Sequence, residues 1–191
     1  MTSADHEAEV RALLVLDQIP GIGLKTLSAL VACFGSGRAA LTAPARAFSM
    51  IAGQRAARAR SEAEIHDRVG AGLNDAERLS ASALTWSDAE YPSMLRNLAD
   101  PPPVLFLRGR AELLATPCIT IVGARKATAR ARDFARRLAS ALTRSSFTVV
   151  SGMALGIDGC AHVGALDSGV VDRPRCRRSS APRDHSPQDG Y

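Results

Sequence analysis

Two short runs in this chain of 191 residues hold the residue types that chemistry needs: Gly123-Ala124-Arg125-Lys126-Ala127-Thr128 and Ser151-Gly152-Met153-Ala154-Leu155-Gly156-Ile157-Asp158. Each follows a strand-like apolar stretch and leads into a helix-like one. At such a turn the first helical amides lack a backbone acceptor, the helix dipole is positive, and glycine lets an anion approach the backbone. The chemistry this predicts is phosphate binding. Gly123, Ala124, Thr128, Ser151, Gly152 and Gly156 would shape the cradle. Arg125 would add a charge-assisted contact that its planar fork can make bidentate, and Lys126 a less directional one. Glycines also serve simply to turn a chain from strand to helix; what favours a phosphate here is Arg125 with a basic helix beside it.

A second constellation is weaker. Asp158 and His162 stand four apart and would share one helix face, as a metal site or an acid–base pair requires. One carboxylate and one imidazole are too few ligands for a metal, and Asp158 stands where a helix N-cap belongs. Both residues therefore read as structural support, His162 packing or hydrogen bonding. Ser151 has no visible base to activate it as a nucleophile. The residues predict no catalytic group, no metal and no cofactor.

The elements that must position these loops can be read from periodicity. Cys118 to Val122 is a strand, Ala129 to about Ser145 a helix, Phe147 to Val150 a second strand and Asp158 to Leu166 a second helix. Strand–helix–strand–helix order implies a parallel sheet whose loops gather at the strand C-termini. In the first helix Ala131, Phe134, Leu138, Ala141 and Leu142 are predicted to face the core, leaving Arg130, Arg132, Arg136, Arg137 and Arg144 outside. Upstream, Val10 to Gln18 and Leu24 to Phe34 read as helices joined by Ile19-Pro20-Gly21-Ile22-Gly23 and closed by Gly35. This has the form of a helix-hairpin-helix element, although Lys25 is its one nearby base and a plain αα-hairpin explains it as well. Arg38 to Ala83 predicts further small helices. Between the halves, Tyr91-Pro92 and Asp100-Pro101-Pro102-Pro103 place a linker, because consecutive prolines fit neither a helix nor a central strand. The fold class is thus α/β: a small helical (helix-hairpin-helix/SAM-like) domain over 1–83, a Pro-rich linker over 84–103, and an incomplete parallel sheet domain over 104–169, opened by the strand Val104 to Leu107.

Composition bounds the rest. The net charge of +5 fits a polyanionic partner without demanding one, but Arg125, Lys126, Arg130, Arg132, Arg136, Arg137 and Arg144 crowd one stretch in which Asp133 is the sole acid. Aromatic residues make up 4% of the chain, which argues against a surface built mainly on base stacking. No apolar run approaches the roughly 18 residues of a membrane span, and the acidic, polar start lacks the form of a signal peptide, so a cytoplasmic protein with no membrane partner is expected. Cys33, Cys118, Cys160 and Cys176 form no CxxC pair; they read as reduced thiols, the first three in the core.

Taken together, Tyr91-Pro92, Asp100-Pro101-Pro102-Pro103-Val104-Leu105-Phe106-Leu107-Arg108-Gly109, Ile121-Val122-Gly123-Ala124-Arg125 with Thr128, and Val150-Ser151-Gly152-Met153-Ala154 leading to Gly156-Ile157-Asp158, Ala161-His162 and Ala165-Leu166 resemble the DprA/Smf family in order and spacing. The resemblance covers about Thr85 to Gly169. It implies an extended Rossmann-like domain, not an enzyme, that binds single-stranded DNA without sequence preference, self-associates as a homodimer, and hands DNA to RecA recombinase in natural transformation. By the same resemblance Arg125 is the main phosphate contact, with Gly123, Ser151 and Gly152 shaping its surroundings.

The chain departs from the family pattern in three places. Leu155 stands where many members have a lysine or arginine, and Arg130-Ala131 where a Tyr-Gly pair is common. After Leu166 the family continues with another buried strand, whereas here Val170-Val171 give way to prolines, arginines, serines and aspartates. The expectation is a C-terminally truncated member whose residues 170–191 are a disordered tail, out of frame from Arg175 after a deletion or frameshift. Two other readings remain open: a nucleotide-binding or phosphoribohydrolase-like protein on a related scaffold, and a non-functional fragment.

Overall fold

The computed structural model describes residues 2–168 and the backbone of 175–178. Helix α1 (Ser3–Gln18) starts at Thr2, whose hydroxyl accepts from the Asp5 amide, and buries Val10, Leu13, Val15 and Leu16. The chain then turns through Ile19 and Ile22, both buried, with the Ile22 amide donating to the Ile19 carbonyl at 3.0 Å and Gly21 at φ 91°. Positive φ at this point suits glycine alone among ordinary residues. Helix α2 (Leu24–Phe34) packs Leu27 and Leu30 inward and ends at Gly35 in the left-handed conformation, as expected of a glycine C-cap. Cys33 falls on the outer side of α2 and is exposed, not in the core as the sequence reading had it.

Helices α3 (Gly37–Thr42), α4 (Ala45–Ala59) and α5 (Ala63–Arg78) complete the helical part, α4 being interrupted at Gly53, whose φ 84° and ψ 162° are not helical. Glu9 reaches from α1 to the start of α3, where its carboxylate accepts from the Gly37 and Arg38 amides at 2.6 and 2.9 Å. The core holds Leu13, Leu16, Ile19, Leu27, Leu30, Phe48, Ile65 and Val69.

The helical part ends on a strand. Strand β1 (Ser82–Thr85) pairs antiparallel with β2 (Val104–Arg108), Ser82 opposite Leu107 and Thr85 opposite Val104. Residues 86–103, with the short helix α6 (Ser93–Arg96), connect these paired strands. Within that connection Tyr91 is buried and its hydroxyl donates to the Pro102 carbonyl at 2.8 Å, while Asp88 accepts from the Thr85 amide and hydroxyl. Val104 belongs to the same core as the helices. One compact unit accordingly runs through Arg108, past the 84–103 segment expected to link domains and including the strand expected to open the next. Pro101, Pro102 and Pro103 lie outside helix and lead into β2, as part of a hydrogen-bonded connection.

The second compact unit starts at Gly109. After a 3-10 turn at Ala111–Ala115, β3 (Cys118–Thr120) and β4 (Thr148–Val150) pair in parallel with Cys118 opposite Thr148 and Thr120 opposite Val150. Helix α7 (Ala129–Arg144) connects them and α8 (Ile157–Leu166) follows β4, which is the predicted β-α-β-α order. Ile121, Ala139, Val149, Ala161 and Ala165 form the core, with Leu142 and Ile157 against it.

Helix α7 is turned relative to the sequence expectation. It buries Ala135, Ala139 and Thr143, whereas Phe134 and Leu138 are exposed. On a helix of 100° per residue this is about a quarter turn. The cause is the approach of α8: a Cβ on Gly164 would lie 2.0 Å from the Arg136 carbonyl oxygen, so only the alanine side of α7 admits a neighbour this close. Backbone strand β5 (Arg175–Arg178) lies beside β2 in the order β1-β2-β5, a strand the sequence reading did not anticipate. The expected tail otherwise lies outside the described residues.

Candidate phosphate-binding site

The two glycine-bearing loops come together because they follow adjacent parallel strands. The Ile121 amide donates to the Val150 carbonyl at 2.9 Å, extending the β3–β4 pairing to the point where both chains leave the sheet. Ser151 sits at that exit, its hydroxyl donating back to the Ile121 carbonyl at 2.7 Å. Five residues on, Gly156 meets the other loop. It has φ 86°, and a Cβ there would stand 2.3 Å from the Ala124 carbonyl oxygen and 2.4 Å from that of Arg125. The Ile157 amide donates to the Ala124 carbonyl at 3.3 Å. The loops therefore touch through backbone, which glycine alone permits.

Asp158 fastens this junction. Its side chain is 5% exposed, with Oδ1 accepting from the Gly123 amide at 3.2 Å and Oδ2 from the Gly152 amide at 3.1 Å. The expected N-cap role is not what is found: the N-cap of α8 is Gly156, and the Asp158 carboxylate serves the two loops instead of its own helix. A buried carboxylate needs such donors, because unpaired burial of an anion costs several kcal/mol. Here two loop amides supply them.

This arrangement divides the expected cradle into inner and outer groups. The Gly123 and Gly152 amides and the Ser151 hydroxyl are spent inside the protein, and the Thr128 hydroxyl accepts from the Ala131 amide at 3.2 Å as the N-cap of α7. On the outside, Ala124, Arg125 and Lys126 are exposed, and the amides of Ala124 and Arg125 have no acceptor among the described residues. Arg125 and Lys126 form no ion pair among the described residues, unlike Arg136 with Asp167 and Arg137 with Asp133. Leu155, at the tip of the second loop, is 81% exposed. His162 lies part-buried on α8.

What the outer surface can do is attract an anion with two amides and two full positive charges. What the inner groups do is hold that surface in place. Linear spacing did not reveal the Asp158 link, since its partner Gly123 lies 35 positions away. Nor did it reveal the exposure of Phe134. No group of three or more His, Cys, Asp or Glu side chains capable of holding a metal occurs among the described residues. No helix among them is long and apolar enough to cross a membrane.

Residues 82–171 match the family described as DNA recombination-mediator protein A. The chain is 37% identical over 98 residues to Protein Smf of Synechocystis, covering 49% of this chain and 25% of that protein. It is 38% identical over 81 residues to DNA processing protein DprA of Bacillus subtilis, covering 42% and 27%. The chain thus matches about a quarter of the length of these relatives. In fold it is similar to the X-ray structure of DprA from Streptococcus pneumoniae, with a TM-score of 0.61 at 21% identity over 88% of this chain and 55% of that one. Residues 82–171, which hold both loops and Asp158, are thus similar to the DprA/Smf family of DNA-processing proteins.

Proposed function

We propose that the unit beginning at Gly109 binds single-stranded DNA through its backbone phosphates, with Arg125 as the principal contact and Lys126 and the Ala124 and Arg125 amides around it. The observation that carries this reading is the exposed Arg125 on a loop whose inner amides are locked by Asp158. A phosphate there gains charge-assisted hydrogen bonds from groups already in position, so little ordering opposes binding. Binding of this type reads no base edge and carries no sequence preference. Loading of RecA recombinase onto the DNA, self-association as a homodimer, a cytoplasmic location and a non-catalytic role accompany this reading through the family likeness.

The rival occupant, a mononucleotide, is disfavoured by Asp158. Its carboxylate already sits on the Gly123 and Gly152 amides that would hold a nucleotide phosphate in the crevice, and a second anion would meet a negative charge there. The test is binding of purified protein to labelled oligo-thymidine across a salt series, beside Arg125→Ala and beside ATP as competitor. Affinity should fall steeply with salt, and Arg125→Ala should weaken binding and lower the log–log slope by about 0.7. Binding by a cooperatively melting sample that ignores salt, or that ATP displaces at equimolar level, would overturn the reading.

A further inference from the structure

The loop surface is small, yet α7 leaves it carrying a feature the loops do not use. Arg130, Arg137 and Arg144 are spaced seven apart and all are exposed. Seven residues come within about 20° of two full turns, so the three guanidinium groups form one row, about 10.5 Å between neighbours and about 21 Å in all. Phe134 stands four residues after Arg130 and three before Arg137, the spacings that make helix neighbours. It is 61% exposed, whereas Phe48 is buried and Phe34, Phe106 and Phe147 are partly so. Leu138 follows it on the same side. The quarter-turn rotation of α7 explains how a phenylalanine comes to lie among arginines: the core takes Ala135, Ala139 and Thr143 instead.

We propose that this outer face of α7 continues the path of the DNA strand, with Arg130, Arg137 and Arg144 taking phosphates and Phe134 offering its ring to an unstacked base. The proposal rests on the phosphate-binding reading of the Arg125 loop, to which the face is joined directly, since Thr128 ends the loop and caps α7. Charge complementarity identifies the occupant. Helix α7 has five arginines against Asp133 alone, which calls for a polyanion. The aromatic ring among them calls for one with flat apolar groups open to contact, and that is single-stranded nucleic acid; a duplex hides its base faces. Among the described residues Arg137 is held by an exposed pair with Asp133 at 2.8 Å, and Arg144 donates to the Ser140 hydroxyl. Exposed partners of this kind are worth little and yield to phosphate.

The experiment compares labelled oligo-thymidines of about 6 and about 20 nucleotides, which bracket common site sizes. Phe134→Ala should weaken the long oligonucleotide about tenfold with an unchanged salt slope, and Phe134→Trp should restore it. Arg130→Gln combined with Arg137→Gln should lower the slope for the long strand by about 1.4. Neither should alter binding of the short strand, which Arg125→Ala should weaken. If the α7 variants bind the long strand as the parent does, or weaken both lengths equally, the proposal falls while the loop reading stands. Indifference of both lengths to Arg125→Ala removes the loop reading instead. A change of oligomeric state in Phe134→Ala with DNA binding intact would make this face a protein interface and overturn the proposal.

Discussion

Asp158 is the residue on which the candidate site depends most. Hydrogen bonds to a charged group contribute about 1.5 to 3 kcal/mol each, and Asp158 accepts two, one from each loop. Asp158→Ala should therefore destabilise the protein by about 3 kcal/mol in denaturant unfolding and weaken oligo-thymidine binding, although Asp158 never faces the ligand. Asp158→Asn, which keeps one acceptor, should fall between. The cysteines give a second check at this scale. Cys33 is exposed, whereas burial pushes the Cys118 thiol above its ordinary value and its Sγ donates to the Thr116 carbonyl at 3.2 Å. Since the thiolate is the reactive form, a maleimide at neutral pH should label Cys33 before Cys118, and labelling of Cys118 should accelerate as pH rises towards its elevated value. Mass spectrometry of peptides over time would show either that order or its reverse.

Between elements, backbone contacts replace side-chain ones at two glycines. Gly164→Ala places a methyl 2.0 Å from the Arg136 carbonyl and should force α7 from α8 at a cost of about 1 to 3 kcal/mol, read as a lower midpoint in denaturant. Gly156→Ala adds strain at φ 86° to a similar clash and should also displace the Arg125 loop, weakening DNA binding beyond its effect on stability. The order of these elements was legible because period-2 and period-3.6 patterns are local properties. So were the ends of α2 and the start of α7, set by Gly35 and Thr128. The face of α7 was not legible: hydrophobicity placed Phe134 inside, but the distance between α7 and α8 is set by Gly164 on another helix, and no window on α7 contains it. Strand β1 was hidden for the same reason, since Ser82-Ala83-Leu84-Thr85 reads as strand only beside β2. In the loops, sequence placed the glycines and Arg125 together but could not tell an outward-facing amide from one facing Asp158.

Across the whole chain, the two units are built from different material. The helical unit fills its core with leucine, isoleucine, valine and phenylalanine, whereas the unit beginning at Gly109 relies on Ile121 and Val149 with alanines. Burying a leucine or phenylalanine stabilises by about 1.5 to 3 kcal/mol, and an alanine by far less. Amides of α1 should consequently exchange with deuterium much more slowly than those of α7 and α8, and saturating oligo-thymidine should slow exchange in α7 and α8 by linkage. Uniform exchange through both units would contradict this. Synthesis of the chain gives the Asp158 carboxylate another meaning. It emerges 35 residues after Gly123. At about 5 to 20 residues per second, a growing chain carries its basic loop for roughly 2 to 7 seconds before the anchor of that loop exists. A ribosome paused within this interval would display Arg125 on an unfastened turn, so the shape of this surface is acquired as a timed event during translation.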